Sequence, residues 1–337
     1  MEPSETTTST SPDGDHAPET RLTTRLTRLW GIDVPVIGAP MAGRAGGDLA
    51  AAVTAAGGLG MIGVGASTGP DWIAENAATA AAAGPFGIGL MVWNLADHPE
   101  QWRATLDARP TVVSLAFGDP APYVEEAHEH GVSVVAPVND RTQLLQALAA
   151  GVDVVCVQGT DAGGHTGRLG TMPWMQQVLT YLAVTAPGVP VAVAGGVASG
   201  RGLAAVLAAG ADAAWVGTSF FASPEALGDE ALRAAAEKAD GTQTVLTDVY
   251  DRAEGLAWDT ETWPTRTVVT DFVSRYTGDP TVTDDELAAA LAPGGEYDDT
   301  LKLHAGQGIG LVKSREPAGD IVRRFGEEAA ALLRRTF

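Results

Sequence analysis

From Val34 to Thr218 the chain repeats one unit: a short, valine-rich apolar run, then an alanine-rich stretch of helical length, joined by brief turns. The apolar runs fall at 34–41, 59–64, 86–93, 111–117, 132–137, 152–157, 189–196 and 211–218. Helical stretches follow at 47–56, 71–83, 99–108, 120–130, 140–150, 175–185 and 201–209, with a last one at 320–335. Runs this short that are apolar on both faces are strands of a parallel sheet covered by helices. Eight consecutive units without a break favour a closed (β/α)8 TIM barrel over an open doubly wound sheet.

Two segments stand outside the rhythm. Residues 1–20 carry a Ser, Thr, Pro and acidic bias that cannot bury enough apolar surface to stay ordered, so they read as a disordered acidic tail ahead of a single barrel domain at 21–337. Residues 223–312 break the pattern after the eighth strand with a Trp- and Pro-containing stretch around Trp258 and Trp263. They read as an insertion covering the barrel mouth. Within it Thr283 and Glu286 form a capping box, which makes the acidic run Asp284, Asp285, Glu286 a helix start and not a metal site.

In such barrels ligands sit at the carboxyl ends of the strands. Ala39-Pro40-Met41 follows the first strand, Gln158 to His165 the sixth, Ala194-Gly195-Gly196 the seventh and Gly217-Thr218 the eighth. After the sixth strand, Gly163 and Gly164 let the backbone turn and approach a ligand closely, and His165 exchanges a proton near neutral pH. Taken alone, this loop fits either a catalytic histidine or one that is merely solvated or hydrogen bonded. The adjacent turns at Gly195-Gly196 and Gly217-Thr218 suit a phosphate, held by backbone N–H groups and a helix amino end, or they serve only as tight turns.

The formal net charge of −21 would repel a phosphate backbone, which excludes nucleic acid as a partner. No apolar run is long enough to span a bilayer, and the amino terminus lacks the basic start and apolar core of a secretory signal. The single cysteine, Cys156, has no disulfide partner and lies inside an apolar run, as a small core residue in a reducing cytoplasm would. His128 and His130, two apart on one helix, do not share a face and cannot join in binding a metal; no Walker-type Gly-x-x-x-x-Gly-Lys run is present. The sequence carries no signal for an oligomeric state.

The segments A-P-M, Q-G-T-D-A-G-G-H, A-V-A-G-G-V, A-A-W-V-G-T-S-F-F, T-V-L-T-D-V-Y-D and H-A-G-Q-G-I-G-L-V, spread from Ile32 to Val312, resemble the nitronate monooxygenase family. The resemblance implies an FMN-dependent (β/α)8 barrel that oxidises alkyl nitronates with dioxygen to carbonyl compounds and nitrite, without metal. It implies that His165 is the active-site histidine and that Gln158, Gly163 and Gly164 contact the flavin. Gly195, Gly196 and the segment Trp215, Val216, Gly217, Thr218 would hold its phosphate, with Ala39, Pro40 and Met41 beneath the ring. Two positions depart from the family pattern: Gly89 stands where Asn is common, and Trp215 where a polar residue is. The same scaffold carries flavin reductases that take hydride from NAD(P)H and pass it to quinones or enoyl thioesters. A non-catalytic barrel that binds a phosphorylated ligand is the reading of another class.

Overall fold

The computed structural model describes residues 22–335, so the segment read as an acidic tail lies outside the described residues. Each apolar run becomes a short strand: β1 (Val36–Gly38), β2 (Gly60–Gly63), β3 (Phe86–Met91), β4 (Val112–Ala116), β5 (Ser133–Val138) and β6 (Val154–Gln158). A two-residue strand, β7 (Gly164–His165), precedes β8 (Val191–Ala194) and β9 (Ala213–Val216). Apart from β7 these strands form one parallel sheet in the order β1-β9-β8-β6-β5-β4-β3-β2. The parallel bridge between Ile37 and Leu59 joins its two ends. There Gly38 N donates to Leu59 O at 2.8 Å and Leu59 N to Val36 O at 3.0 Å. The sheet is therefore a closed eight-stranded barrel, as the alternation predicts.

The continuous apolar runs have a simple cause. Side chains alternate across a strand, and both faces of a barrel strand are buried. Val154 and Cys156 point into the barrel with Ala192, Ala194, Ala213 and Trp215. Their neighbours Val155 and Val157 face the helical ring with Val191 and Val193. Cys156 is fully buried, and burial pushes its thiol pKa up, away from thiolate chemistry. Helix Arg25–Trp30 closes the end at which the strands begin: Leu26 and Trp30 join the inner cluster, and Arg25 Nε donates to Asp212 Oδ1 at 2.8 Å.

Two helix boundaries differ from the periodic reading. The run read as a strand to residue 93 ends at Met91, and Val92–Leu95 form a helical turn. Asn94 fixes that turn by donating from Nδ2 to Ala66 O at 3.0 Å. The helix expected from 175 begins at Thr171, where Asp161 Oδ2 accepts the Thr171 N–H at 2.9 Å and so caps it from another loop.

Beyond β9 the chain leaves the ring, and the final helix, Ala318–Leu333, then returns to pack beside helix Gly200–Ala208. In between lie β10 (Thr244–Thr247), β11 (Thr265–Val268) and helices that include Val249–Glu254 and Asp284–Leu291. Thr283 and Glu286 cap the latter reciprocally, and the acidic run occupies its first turn. β10 and β11 pair antiparallel, and β11 pairs antiparallel with β7, placing Thr265 opposite His165 and Arg266 opposite Gly164. The inserted segment is thus hydrogen bonded directly to the loop that follows β6.

Candidate active site

A cavity of about 550 Å³ opens at the carboxyl ends of the strands. Ala39, Pro40 and Met41 line it from the β1 loop, and Gln158, Gly163, Gly164 and His165 from the β6 loop. Gly195, Gly196, Trp215, Gly217 and Thr218 line it from the ends of β8 and β9. Of the residues singled out in the sequence, Val216 alone does not: its side chain packs in the helix-facing core, and its carbonyl accepts the Ala39 N–H at 2.8 Å. The other wall comes from the inserted segment, through Asp251, Glu254, Trp258, Lys302 and His304.

His165 is held from several sides. Its Nε2 lies 3.0 Å from Asp251 Oδ1, while Thr265 Oγ1 donates to Asp251 Oδ2 at 2.8 Å. A carboxylate only accepts, so Nε2 carries the hydrogen and Nδ1 is the basic nitrogen. The Trp258 indole stacks on the imidazole, with centroids 3.4 Å apart and planes 11° from parallel. Gln158 Nε2 donates to the His165 carbonyl at 3.2 Å, and Gln158 Oε1 accepts from Asn139 Nδ2 at 3.1 Å. A side chain with its tautomer, ring plane and backbone all fixed can act as an oriented base, which a solvated loop histidine cannot.

The glycines are required by close approach. A Cβ at Gly163 would stand 2.5 Å from backbone atoms of Ala305 and Gly306, so the β6 loop and the 304–306 segment meet backbone to backbone. Gly195 and Gly196 have φ of +106° and +72°, and a Cβ on Gly195 would lie 2.5 Å from Thr171 Oγ1. At Gly217 a Cβ would press on Ala39 Cβ and Met41 Sδ, both at 3.3 Å. These bare backbone stretches all border the cavity, and neighbouring protein atoms leave no room for a side chain at Gly163 or Gly195. Gly89 has the same kind of cause: a Cβ there would meet the Pro40 ring at 2.3 Å, which bars the Asn common at this position. Trp215 is 7% exposed and floors the cavity from the inner core.

Sequence reasoning missed Asp251, Trp258 and His304 as site residues, although each lies in or beside a segment it singled out. His304 Nδ1 is buried without a hydrogen-bond partner, while the ring borders the cavity. Burial, and then the nearby His165 charge, hold its pKa down to about 4. In the unfolded chain the imidazole titrates at its ordinary value of 6.5, so the unfolded state takes up this proton first as pH falls. The stability contribution of neutral His304 is complete above that value and is lost as pH drops toward 4. The expected loss is about 3 kcal/mol at most. Thermal melts should show a steeper fall in Tm across this window for the wild type than for His304→Gln, and parallel curves would refute the assignment.

Among the described residues no group of three or more His, Cys, Asp or Glu could hold a metal ion. His128 and His130 are exposed on the barrel's outside, His128 Nε2 lying 2.9 Å from Asp153 Oδ2. Among the described residues no helix is long and apolar enough to cross a membrane.

A (β/α)8 barrel with a carboxylate-oriented histidine and a glycine cradle at its strand ends has the form of a cofactor-using oxidoreductase. The chain belongs to the nitronate monooxygenase family, whose model matches residues 23–328. Members are flavin-dependent in general. A nitronate monooxygenase of Paraburkholderia phytofirmans is 36% identical over 259 residues, covering 62% of this chain and 69% of that one. The structure of FabK from Thermotoga maritima superposes with a TM-score of 0.78 at 29% identity, covering 92% of this chain and 97% of that one. Nitroalkane oxidase from Streptomyces ansochromogenes does so with a TM-score of 0.73 at 28% identity, covering 91% and 98%.

Proposed function

We propose that this chain binds FMN and oxidises alkyl nitronates with dioxygen to carbonyl compounds and nitrite, and that His165 removes the α-proton when the substrate is the neutral nitroalkane. The reading rests above all on the 3.0 Å contact between His165 Nε2 and Asp251 Oδ1, which leaves Nδ1 as an oriented base beside the cavity. FMN, when bound, supplies the two-electron chemistry that carries electrons from the nitronate carbon to dioxygen. Gly195, Gly196, Gly217 and Thr218 would hold its phosphate through backbone, and Ala39, Pro40 and Met41 would support the ring. A single phosphate cradle favours a mononucleotide, since no Gly-x-Gly-x-x-Gly fingerprint follows the first strand. Once protonated, the imidazolium keeps Asp251 as counter-ion and offers Nδ1–H to the nitronate oxygen. The inserted segment keeps bulk water from this pair, as their side-chain exposures of 16% and 6% indicate. The only cysteine is a buried thiol, which fits a reducing cytoplasm.

The test is the bound flavin itself. Purified protein should be yellow, release FMN and not FAD on denaturation, and bleach without oxygen faster with ethyl nitronate than with NADH or NADPH. A protein that stays colourless after incubation with FMN would remove the enzyme reading. Bleaching by a nicotinamide with none by nitronates would reassign the site to a flavin reductase.

A further inference from the structure

One side of the cavity is aromatic: Trp93, Phe117 and Trp258 line it beside His165. They come from three separate segments, the helical turn after β3, the residue after β4, and the stretch between helix Val249–Glu254 and β11. Trp258 meets Trp93 edge-on at 5.1 Å between centroids and Phe117 at 5.0 Å. Phe117 lies 6.0 Å from His165. Phe117 also has φ of +62°, a left-handed conformation that is strained for a bulky residue. Strain of this kind persists where the surroundings over-determine it, and it gathers at ligand clamps. Here the ring is braced by Trp258 and by Trp263, at 5.8 Å.

The charged groups that the inserted segment brings to this wall are paired. Asp251 is bonded to His165 and Thr265, and Glu254 is ion-paired with Lys302. Arg44, the other cation of the lining, follows β1; its Nη2 donates to Phe221 O at 2.5 Å and its guanidinium lies over the Phe221 ring at 4.2 Å, while Nε and Nη1 are buried without a partner. A carboxylate entering the aromatic side would lose water and meet two acidic groups, Asp251 and Glu254.

We propose that Trp93, Phe117 and Trp258 form a clamp for the substrate's substituent beyond the reacting carbon, selecting uncharged aryl or bulky alkyl nitronates over the smallest and over carboxylate-bearing ones. This specificity rests on the nitronate-oxidising reading of His165. Ring edges and faces arranged as here hold a further ring by offset or edge contacts, and one such contact is worth about tenfold in kcat/KM.

The experiment compares kcat/KM of the flavin-loaded enzyme on ethyl nitronate, the nitronate of (2-nitroethyl)benzene and propionate 3-nitronate. The phenyl substrate should exceed the ethyl one by about tenfold, and the carboxylate should fall below ethyl by about the same factor. Phe117→Gly removes the ring at a position whose φ suits glycine, so the phenyl-to-ethyl ratio should collapse to about one. A merely structural role would lower both substrates alike and leave the ratio intact, which would overturn the clamp, as would preference for the carboxylate. If no nitronate is turned over, the functional reading falls, and the clamp is judged by quenching of tryptophan fluorescence with toluene and with propionate. Quenching by toluene alone, lost in Phe117→Gly, upholds it; equal quenching in the variant, or none, overturns it.

Discussion

His165→Asn should lower kcat/KM on a neutral nitroalkane by about 10²-fold or more, the usual contribution of a general base, while the protein still copurifies with flavin. Retention is expected because the residues proposed to hold the phosphate lie at the ends of β8 and β9, whereas His165 sits on β7. A preformed nitronate has already lost its proton, so its turnover should fall less, by what the imidazole contributes through charge and orientation. The difference between the two substrates is the diagnostic quantity. A histidine that only completes the loop's hydrogen bonding would cost about 1 kcal/mol of stability and affect both substrates equally. Flavin content, Tm and rates on paired neutral and anionic substrate separate these outcomes. Wild-type rates on the neutral form would remove His165 from the mechanism.

Asp251→Asn should cost nearly as much on the neutral substrate, with an upper bound set by the loss in His165→Asn, if the carboxylate acts through the imidazole as proposed. An amide at this position can present either oxygen or NH2 to Nε2, and the second choice puts the hydrogen on Nδ1 and abolishes the base. The expected fall is about 10²-fold, in kcat more than in KM. The double variant should be no slower than His165→Asn alone, since groups that work as a unit do not add. Additive losses would show that Asp251 does something besides orienting His165.

The barrel was legible in the sequence because its physics is local. Val154 to Val157 alternate between two buried faces, and that requirement writes a continuous apolar run. The glycines' place at the strand ends was legible, but not the cause at Gly163: the sequence suggests close approach to a ligand, and in the fold the approach is to the chain's own backbone at Ala305 and Gly306. What sets the histidine's chemistry was not legible. Asp251 is 86 positions away from His165, and β7, with two residues, is too short to show any periodicity. T-V-L-T-D-V-Y-D was visible as a motif, but its aspartate reaches the imidazole only through the β7–β11 pairing. Trp93 was assigned to a strand because an apolar run continues through it; the turn that brings it to the cavity depends on Asn94 finding the Ala66 carbonyl.

The inserted segment leaves and rejoins the barrel at nearly one point: Ser223 Oγ donates to the Glu316 carbonyl at 2.9 Å, and the Ala318 N–H reaches Glu225 Oε2 at 3.2 Å. A loop whose ends are already pinned together can change length at little entropic cost, which grows only with the logarithm of the number of residues. The barrel can therefore tolerate exchange of this whole module for one of different size. Yet the module carries Asp251, Thr265, Trp258 and the strand that pins His165. The chain thus divides between a durable frame, which presents the imidazole together with Trp93 and Phe117, and a replaceable cassette, which supplies the groups that orient that imidazole and one wall of its pocket. Transplanting the cassette between relatives should carry the reactivity with it, leaving flavin affinity behind with the frame.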